Sequence, residues 1–168
     1  MATLTAANPR FRYNADGLDA MAKARRLIDG DATFNAGQFL YQKNDGLVYT
    51  CESDADTGTG GIQFLAMETV GTALSVDTTR KEMAVITAGD VFEMNELDGT
   101  VAETTVGGLY GLDVTSNICT VDLGDDSNTA FRVVDPSWVQ SPFIDDSADV
   151  KARLLVEIIE AVINAAIA

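Results

Sequence analysis

Short β-prone runs separated by glycine-containing turns occupy residues 34–135, and this feature constrains the fold more than any other. The runs are rich in β-branched and aromatic residues, and turn residues recur about every 8 to 12 positions. Such spacing is typical of small barrels and sandwiches. The sequence therefore predicts a mainly β protein: a small β-barrel or sandwich of short hairpins, with an extended N-terminal arm and a C-terminal α-helix.

Two Asp-Gly pairs give the clearest hairpin signals. One pair ends at Gly46 between two β-prone runs of residues 38–51, and the other ends at Gly99 between two runs of residues 91–104. Asp-Gly between β-prone runs favours a two-residue type I′ turn, which needs positive φ. We therefore predict two hairpins with this turn type.

A weaker third hairpin is predicted over residues 108–121, with its turn at Ser116-Asn117. The first two hairpin segments also open alike, with Ala-Gly before the first strand in residues 36–39 and 88–91. Ala-Gly is a common turn dipeptide. We interpret the similarity as shared hairpin architecture and not as evidence of duplication.

The charge of the chain argues against nucleic acid as a partner. The net charge is −15, and the sequence pI is about 4.1, so the surface repels phosphate backbones. No segment has the length of apolar sequence needed to span a membrane, and the N-terminus lacks the pattern of a secretory signal. We expect a soluble protein that is cytoplasmic when made, without nucleic-acid or membrane partners.

The basic residues are concentrated near the N-terminus. Residues 1–34 hold five basic and four acidic side chains, whereas residues 35–168 hold six basic and 22 acidic ones. Such an arm is expected to dock on an oppositely charged protein surface while contributing little to the fold, although a frayed terminus would have the same composition. A weak helix is predicted over residues 18–28. The candidate contact residues are Arg10, Arg12, Arg25 and Arg26.

The C-terminal region combines an extended linker with a predicted helix. Two prolines favour an extended path after residue 135, with Trp138 and Phe143 as anchors. A helix is then predicted from Asp146 or Ser147 to the C-terminus, because polar residues recur at spacings of three and four. The domain organisation is therefore an arm over 1–34, a β-barrel body over 35–135, and a linker with a helix over 136–168.

The predicted C-terminal helix is apolar on far more than one face. A surface helix of a monomer needs only about 100° of apolar surface, so this one must be buried on several sides. Either the barrel covers it or copies of the chain pack against it. Together with Trp138 and Phe143, the expected packing residues are Leu155, Ile159, Val162 and Ile163.

The residues that most catalytic sites require are missing. The chain contains no histidine, which removes the commonest general base and the usual hydrolase triads. Asp54 and Asp56 faintly resemble a calcium loop, but Leu65 stands where the terminal glutamate ligand is needed. Cys51 and Cys119 are expected to be buried free thiols. We predict a non-enzymatic protein without metal or cofactor.

The chain combines a near-neutral arm with an acidic β body that is interrupted by glycines. Two similar segments of this body precede predicted strands, Asn35-Ala-Gly37-Gln38 and Thr87-Ala-Gly89-Asp90. Together these features resemble the small head decoration proteins of tailed phages. The resemblance implies a compact β-rich protein on the outer capsid surface of the virion, commonly a homotrimer. It further implies that the arm and one barrel edge clamp neighbouring major capsid protein subunits. No functional residue is carried over from the family.

Two other function classes stay open on the sequence. A head fibre base, tail or adaptor subunit of a phage would share the composition and the β character. A carbohydrate- or calcium-binding β module would need exposed aromatic residues or ordered acidic ligands, and aromatic residues make up only 7% of the chain.

Overall fold

The chain is mainly β, which confirms the predicted fold class. This computed structural model describes residues 8–14, 17, 20–51, 61–75, 78–98, 105–134 and 153–163. Eleven strands and one short helix lie in these ranges. They are β1 (Arg10–Tyr13), β2 (Lys23–Leu27), β3 (Phe39–Gln42), β4 (Val48–Thr50), β5 (Phe64–Ala66), β6 (Arg80–Val85), β7 (Val91–Asp98), β8 (Leu109–Thr115), β9 (Ile118–Asp122), β10 (Phe131–Val133), β11 (Arg153–Ile158) and α1 (Glu160–Ile163).

The first five-stranded sheet closes into a barrel. Its strand order is β2-β6-β5-β3-β4, and all four of these pairings are antiparallel. A parallel bridge between Ile28 and Val48 joins the chain after β2 to β4, and the Asp29 N–H donates to the Val48 carbonyl at 3.0 Å. Because this bridge joins the two ends of the sheet, no long strand edge is left open there.

The second sheet forms a barrel in the same way. Strands β7-β11-β10-β8-β9 are antiparallel neighbours, and a parallel pairing of Glu96 with Val121 and of Asp98 with Asp122 joins β7 to β9. Strand β1 adds to the edge of β7 beside this closure. The second barrel therefore has five closed strands and one additional edge strand.

The two barrels have the same connectivity. If the strands of each barrel are numbered one to five in chain order, both follow the order 1-5-4-2-3, and in both the third strand closes onto the first in parallel. The chain thus repeats one strand topology in tandem, which the sequence interpretation did not predict.

The two Ala-Gly segments form the same turn at different places in this repeat. Residues 35–38 and 87–90 each have a hydrogen bond of 3.1 Å from the last N–H to the first carbonyl, and Gly37 and Gly89 both have φ of 86°. This combination indicates a type II turn, which needs positive φ at its third residue. The first turn leads into β3, the second strand of its barrel, and the second leads into β7, the first strand of its barrel.

Each of these turns is closed by a buried polar side chain. Gln38 Oε1 accepts a hydrogen bond from the Asn35 N–H at 3.2 Å, and Asp90 Oδ2 accepts one from the Thr87 N–H at 2.8 Å. Gln38 and Asp90 are both almost fully buried. The similarity seen in the sequence is therefore a repeated turn, and it does not mark equivalent strands.

The two barrels meet in one hydrophobic cluster, which we call the shared core, and the first barrel also has a separate cluster of its own that includes Ile28, Leu40 and Met83. The Phe39 ring of the first barrel lies 5.2 Å from Phe92 and 5.9 Å from Phe131 of the second barrel, between ring centroids. These rings belong to a single buried cluster that also contains Cys51 and Cys119, one from each barrel. Burial of aromatic side chains contributes strongly to stability, so this cluster holds the barrels together.

Asn8 joins the barrels by hydrogen bonds. Its Oδ1 accepts from the backbone N–H of Cys119 at 3.1 Å, and its Nδ2 donates to the Ala36 carbonyl at 3.2 Å. A Cβ atom at Gly37 would lie 2.9 Å from the Asn8 Cβ, so the close approach of these segments requires glycine.

The described N-terminal residues are part of the fold, and the helix predicted over residues 18–28 is wrong over Lys23–Leu27. Lys23–Leu27 forms β2, which pairs with β6 along its whole length. Phe11 of β1 packs edge-on against Phe92, with centroids 5.6 Å apart. Sheet pairing has overridden a weak helical pattern here. The expectation that this segment contributes little to the fold is also wrong for its described residues.

The predicted C-terminal helix is wrong over Arg153–Ile158, which forms β11. Leu154, Val156 and Ile158 point into the shared core, and Arg153 and Glu157 lie on the opposite face of the strand. Residues four positions apart lie on the same face in a helix and also in a strand. The spacing of Arg153 and Glu157 therefore could not distinguish a helix from a strand. Within the part of the C-terminal region that the structure describes, a helix is present only at Glu160–Ile163.

The turn predictions have different outcomes. The β3–β4 hairpin is confirmed, but the Gly46 N–H donates to the Lys43 carbonyl at 2.9 Å and only Gly46 of the Asp-Gly pair has positive φ. This geometry indicates a type I turn followed by a glycine bulge, and not type I′.

The β8–β9 hairpin is confirmed, with φ of 54° at Ser116 and 60° at Asn117. Residues 99–104 lie outside the described residues, and the β7 edges that the second predicted hairpin would use pair with β1 and β11.

Candidate functional site

One outer face of the second barrel carries an unusual number of arginines. The strands β1, β7, β11 and β10 are successive neighbours, so their outward side chains form one continuous surface. Since Leu154 and Val156 point into the core, the alternating residues of β11 point outward. At the centre of this side of the sheet Val91 and Leu155 are buried, so the exposed arginines of β1 are separated from Arg132 on β10. We call this surface the arginine face, and its charged residues are Arg10, Arg12, Glu93, Arg132, Arg153 and Glu157.

Glu93 lies at the centre of the arginine face. Arg153 Nε lies 2.6 Å from Glu93 Oε1, and Arg12 Nη1 lies 3.4 Å from Glu93 Oε2. Arg153 Nη2 also donates to the Glu93 backbone carbonyl at 3.1 Å. Arg10 pairs with Glu93 in the β1–β7 register. One carboxylate therefore pairs with two guanidinium groups, and a third arginine lies directly across the strand from it.

The electrostatics of Arg153 reflect this crowding. Burial lowers the pKa of Arg153 below its ordinary value, Glu93 opposes this shift, and the charges of Arg10 and Arg12 add to the lowering. Arg153 is nearly buried, whereas Arg10 and Arg12 are exposed. The positive charge not matched by Glu93 is thus presented to solvent by β1.

The far side of the arginine face is formed by β10. Arg132 Nη1 lies 3.8 Å from Glu157 Oε2, and about half of the Arg132 side chain is exposed. The face as a whole holds four arginines and two glutamates, a surplus of two positive charges on a chain whose net charge is −15. An open cleft of about 420 Å³ lies at its end, lined by Ala88, Gly89, Arg132, Glu157, Ile158, Ile159 and Glu160.

Strand β1 is the edge of this surface. Among the described residues its only strand partner is β7. Arg10 and Arg12 are exposed and Phe11 packs on the core, while a register shift places Tyr13 against the outer residues Val91 and Leu155. An edge strand can pair with a strand of another chain, and basic side chains on the edge select an acidic one. The second barrel therefore presents the basic side chains of β1 for protein binding.

The first barrel has a second basic surface, on β2 and β6. In the register of these strands, Arg25 faces Glu82 and Leu27 faces Arg80, while Lys23 Nζ lies 3.1 Å from Glu82 Oε1. Lys23, Arg25, Arg80 and Glu82 are all exposed. We call this surface the β2–β6 face, and its three basic residues exceed its acidic residue by two charges.

The four predicted contact arginines do not form one patch. Arg10 and Arg12 lie on the arginine face, whereas Arg25 lies on the β2–β6 face of the other barrel. The Arg26 guanidinium lies over the Phe64 ring, 5.7 Å from its centroid, and is half-buried. The sequence interpretation missed Arg132 and Arg153. A period of two over residues 153–158 would have placed Arg153 and Glu157 on a common face.

The predicted packing residues pack within the chain where they are described. Leu155 is buried against Val91, and Val162 is fully buried in the shared core. Ile159 and Ile163 are partly buried against the same core. Trp138 and Phe143 lie outside the described residues, as do Asp54 and Asp56 of the faint calcium pattern.

Both cysteines are buried free thiols, as predicted. Burial raises the pKa of Cys51 well above its ordinary value, and it raises the pKa of Cys119 to about 12 against the opposing effect of the Phe39 N–H. Thiols with raised pKa values hold little reactive thiolate at neutral pH. These residues therefore act as small core side chains.

The described residues include no group of three or more cysteine, aspartate or glutamate side chains that could hold a metal ion. No helix in this part of the chain is long and apolar enough to cross a membrane. No family model, curated protein or solved structure matches the chain.

Proposed function

We propose that this chain is a structural virion protein that binds the outer capsid surface of a tailed phage, as a homotrimer, and stabilises the shell by bridging major capsid protein subunits. The observation that carries the proposal is the arginine face with its edge strand β1. An acidic chain that concentrates arginines on one sheet edge has a surface suited to binding an acidic protein partner. No catalytic role is assigned to any residue.

The chemistry of this face favours a protein contact. Arginine forms bidentate hydrogen bonds with carboxylates and loses less hydration than lysine on burial. Arg12 already contacts Glu93 with about half of its side chain still exposed, so further donors point outward. A carboxylate of the partner can replace water at these donors while β1 pairs with a partner strand.

The proposal is tested with particles that lack the protein. Arg10→Gln together with Arg12→Gln should weaken binding on the order of tenfold and reduce its dependence on salt. Asn44→Glu with Thr72→Glu is the matched control, because both residues are exposed and lie outside this face, and the change in net charge is the same. Wild-type occupancy by the arginine variant would exclude this face as the contact.

The mass in solution and the copy number per particle test the remaining parts of the proposal. A decoration protein saturates sites over the whole shell, whereas a fibre base, tail or adaptor subunit binds only a few positions. Sedimentation of the free protein should give a trimer mass. A few copies per particle would favour the other phage structural classes.

A further inference from the structure

We infer that the two barrels are two separate docking sites for the same kind of acidic protein surface, so that one chain bridges two equivalent sites of a repeating assembly. This inference rests on the proposed function for the nature of that assembly. The starting observation is the shared strand order, because two copies of one topology place corresponding strands in corresponding positions.

Most of the described basic residues lie on or beside the first and fifth strands of the two barrels. The first and fifth strands are β2 and β6 in one barrel and β7 and β11 in the other, and β1 extends β7. Of the ten basic residues that the structure describes, all but Lys43 and Arg132 lie on these five strands. Each barrel therefore carries one basic face. The β2–β6 face lies on the first and fifth strands of its barrel, whereas the arginine face has only Arg153 on such a strand, with Arg10 and Arg12 on the added strand β1.

The two faces also have matching charge. Each has a surplus of two positive charges, although the chain as a whole has a net charge of −15. Several described carboxylates are instead used in turns: Asp45 accepts from the Leu47 N–H at 2.8 Å, and Asp125 accepts from the Ser127 N–H at 2.9 Å. Two like-charged faces select the same partner chemistry, an acidic protein surface. The net negative charge disfavours nucleic acid.

The barrels are held in a fixed relation to each other, which two-site binding requires. Phe39 packs against Phe92 and Phe131 across the barrel boundary, and Asn8 bonds both barrels. Once one face has bound, the second face is held near its own site at a high effective concentration. Two weak contacts can then give tight binding to a repeating surface and little binding to isolated partner subunits.

The experiment compares one variant for each face. Lys23→Gln with Arg25→Gln alters the β2–β6 face, Arg10→Gln with Arg12→Gln alters the arginine face, and a fourfold variant combines them. The Asn44→Glu and Thr72→Glu pair is again the charge-matched control. Dissociation rate and saturating copy number are measured on particles that lack the protein, and oligomeric mass is measured without particles.

We expect each single-face variant to dissociate at least about tenfold faster than wild type. At high concentration each should saturate at up to twice the wild-type copy number, since a molecule with one working face occupies one site instead of two. The fourfold variant should not bind. Wild-type dissociation and copy number for the Lys23 and Arg25 variant alone would overturn the two-site inference and leave the proposed function standing.

Other results separate the remaining explanations. If neither single-face variant nor the fourfold variant alters binding, the arginine face is not a capsid contact and the proposed function fails as well. A loss of oligomeric mass in either variant without particles would identify that face as a contact between copies and overturn the inference. Binding of wild type to duplex DNA that the fourfold variant loses would identify nucleic acid as the partner and also overturn it.

Discussion

At the scale of single residues, the contact between Asn8 and the Ala36-Gly37 turn shows how a few atoms fix the arrangement of the barrels. Asn8 supplies an acceptor to one barrel and a donor to the other, and glycine at position 37 leaves the space that Asn8 fills. Such a contact depends on side-chain chemistry at one position. It can therefore be tested by one substitution.

Asn8→Ala should lower the free energy of unfolding by about 1 to 3 kcal/mol, because the Cys119 N–H loses its acceptor in a buried setting. Urea titration at pH 7 measures the change. Asn44→Ala is the control, since Asn44 is an exposed turn residue, and its effect should stay within about 0.5 kcal/mol. Equal effects of the two changes would show that Asn8 does not join the barrels in solution.

Asp90 gives the chain a defined dependence of stability on pH. Burial raises the pKa of Asp90 above its ordinary value of 3.8, against the lowering by hydrogen bonds from Thr87. The folded chain therefore holds this proton more tightly than the unfolded chain. The resulting stabilisation is fully present below pH 3.8 and is lost as the pH rises through the folded pKa.

Asp90→Asn removes this titration while keeping an oxygen acceptor for Thr87. Relative to wild type, the variant should gain stability between pH 3 and pH 7 in urea titrations. Asp125→Asn is the control, and its expected effect on stability has the opposite sign. Hydrogen bonds from Ser127 lower the pKa of Asp125. This variant should therefore lose stability relative to wild type over the same pH range. Parallel pH profiles for both variants would contradict the assignment at Asp90.

At the scale of elements, the β strands of the body were predictable because turn residues and β-prone runs alternate. The two ends of the chain were not. Residues 153–158 are apolar on both faces apart from Arg153 and Glu157, and a strand buried on both faces resembles a buried helix in sequence. For β2, pairing with β6 decided the structure, and a contact with a strand more than 50 residues away leaves no local signal.

The β3–β4 turn allows a test of one element by itself. Gly46 has φ of 86°, and a Cβ atom there would meet nothing within 4 Å, so any effect of a substitution comes from backbone conformation alone. Gly46→Val should destabilise the chain by about 1 to 3 kcal/mol, because a β-branched residue is strained at positive φ. The measurement is the midpoint of thermal unfolding.

Gly71→Val is the matched control for this turn. A Cβ atom at Gly71 also meets nothing within 4 Å, but the backbone there has no positive φ. Its melting temperature should stay close to that of wild type. If Gly46→Val and Gly71→Val have the same melting temperature, the turn does not depend on positive φ at Gly46.

At the scale of the whole molecule, the repeat could not be predicted from the sequence, and of the arginines of the candidate site only Arg10 and Arg12 were predicted. Equivalent strands of the two barrels share no sequence motif. The two similar Ala-Gly segments lead into β3 and β7, which hold different positions in the strand order of their barrels. The arginine face joins Arg10 and Arg12 with Arg132 and Arg153, which are more than 100 residues away. They meet only because β7 and β11 lie between β1 and β10.

The shared core predicts that both barrels unfold together. Phe39 belongs to the first barrel but packs on Phe92 and Phe131 of the second, so a smaller side chain at this position should weaken both. Phe39→Leu should lower the free energy of unfolding by about 1 to 2 kcal/mol. Val106→Ala, at an exposed position of the second barrel, should change it by less than about 0.5 kcal/mol.

Hydrogen exchange measures this coupling barrel by barrel. In Phe39→Leu, the slowest amides of the β3–β4 hairpin and of the β8–β9 hairpin should lose the same protection, since both exchange through one global opening. Calorimetry should show a single transition whose midpoint falls. Loss of protection confined to the β3–β4 hairpin, or a second calorimetric transition, would show that the barrels open independently. The fixed spacing between the two basic faces would then be lost, because each barrel could open without the other.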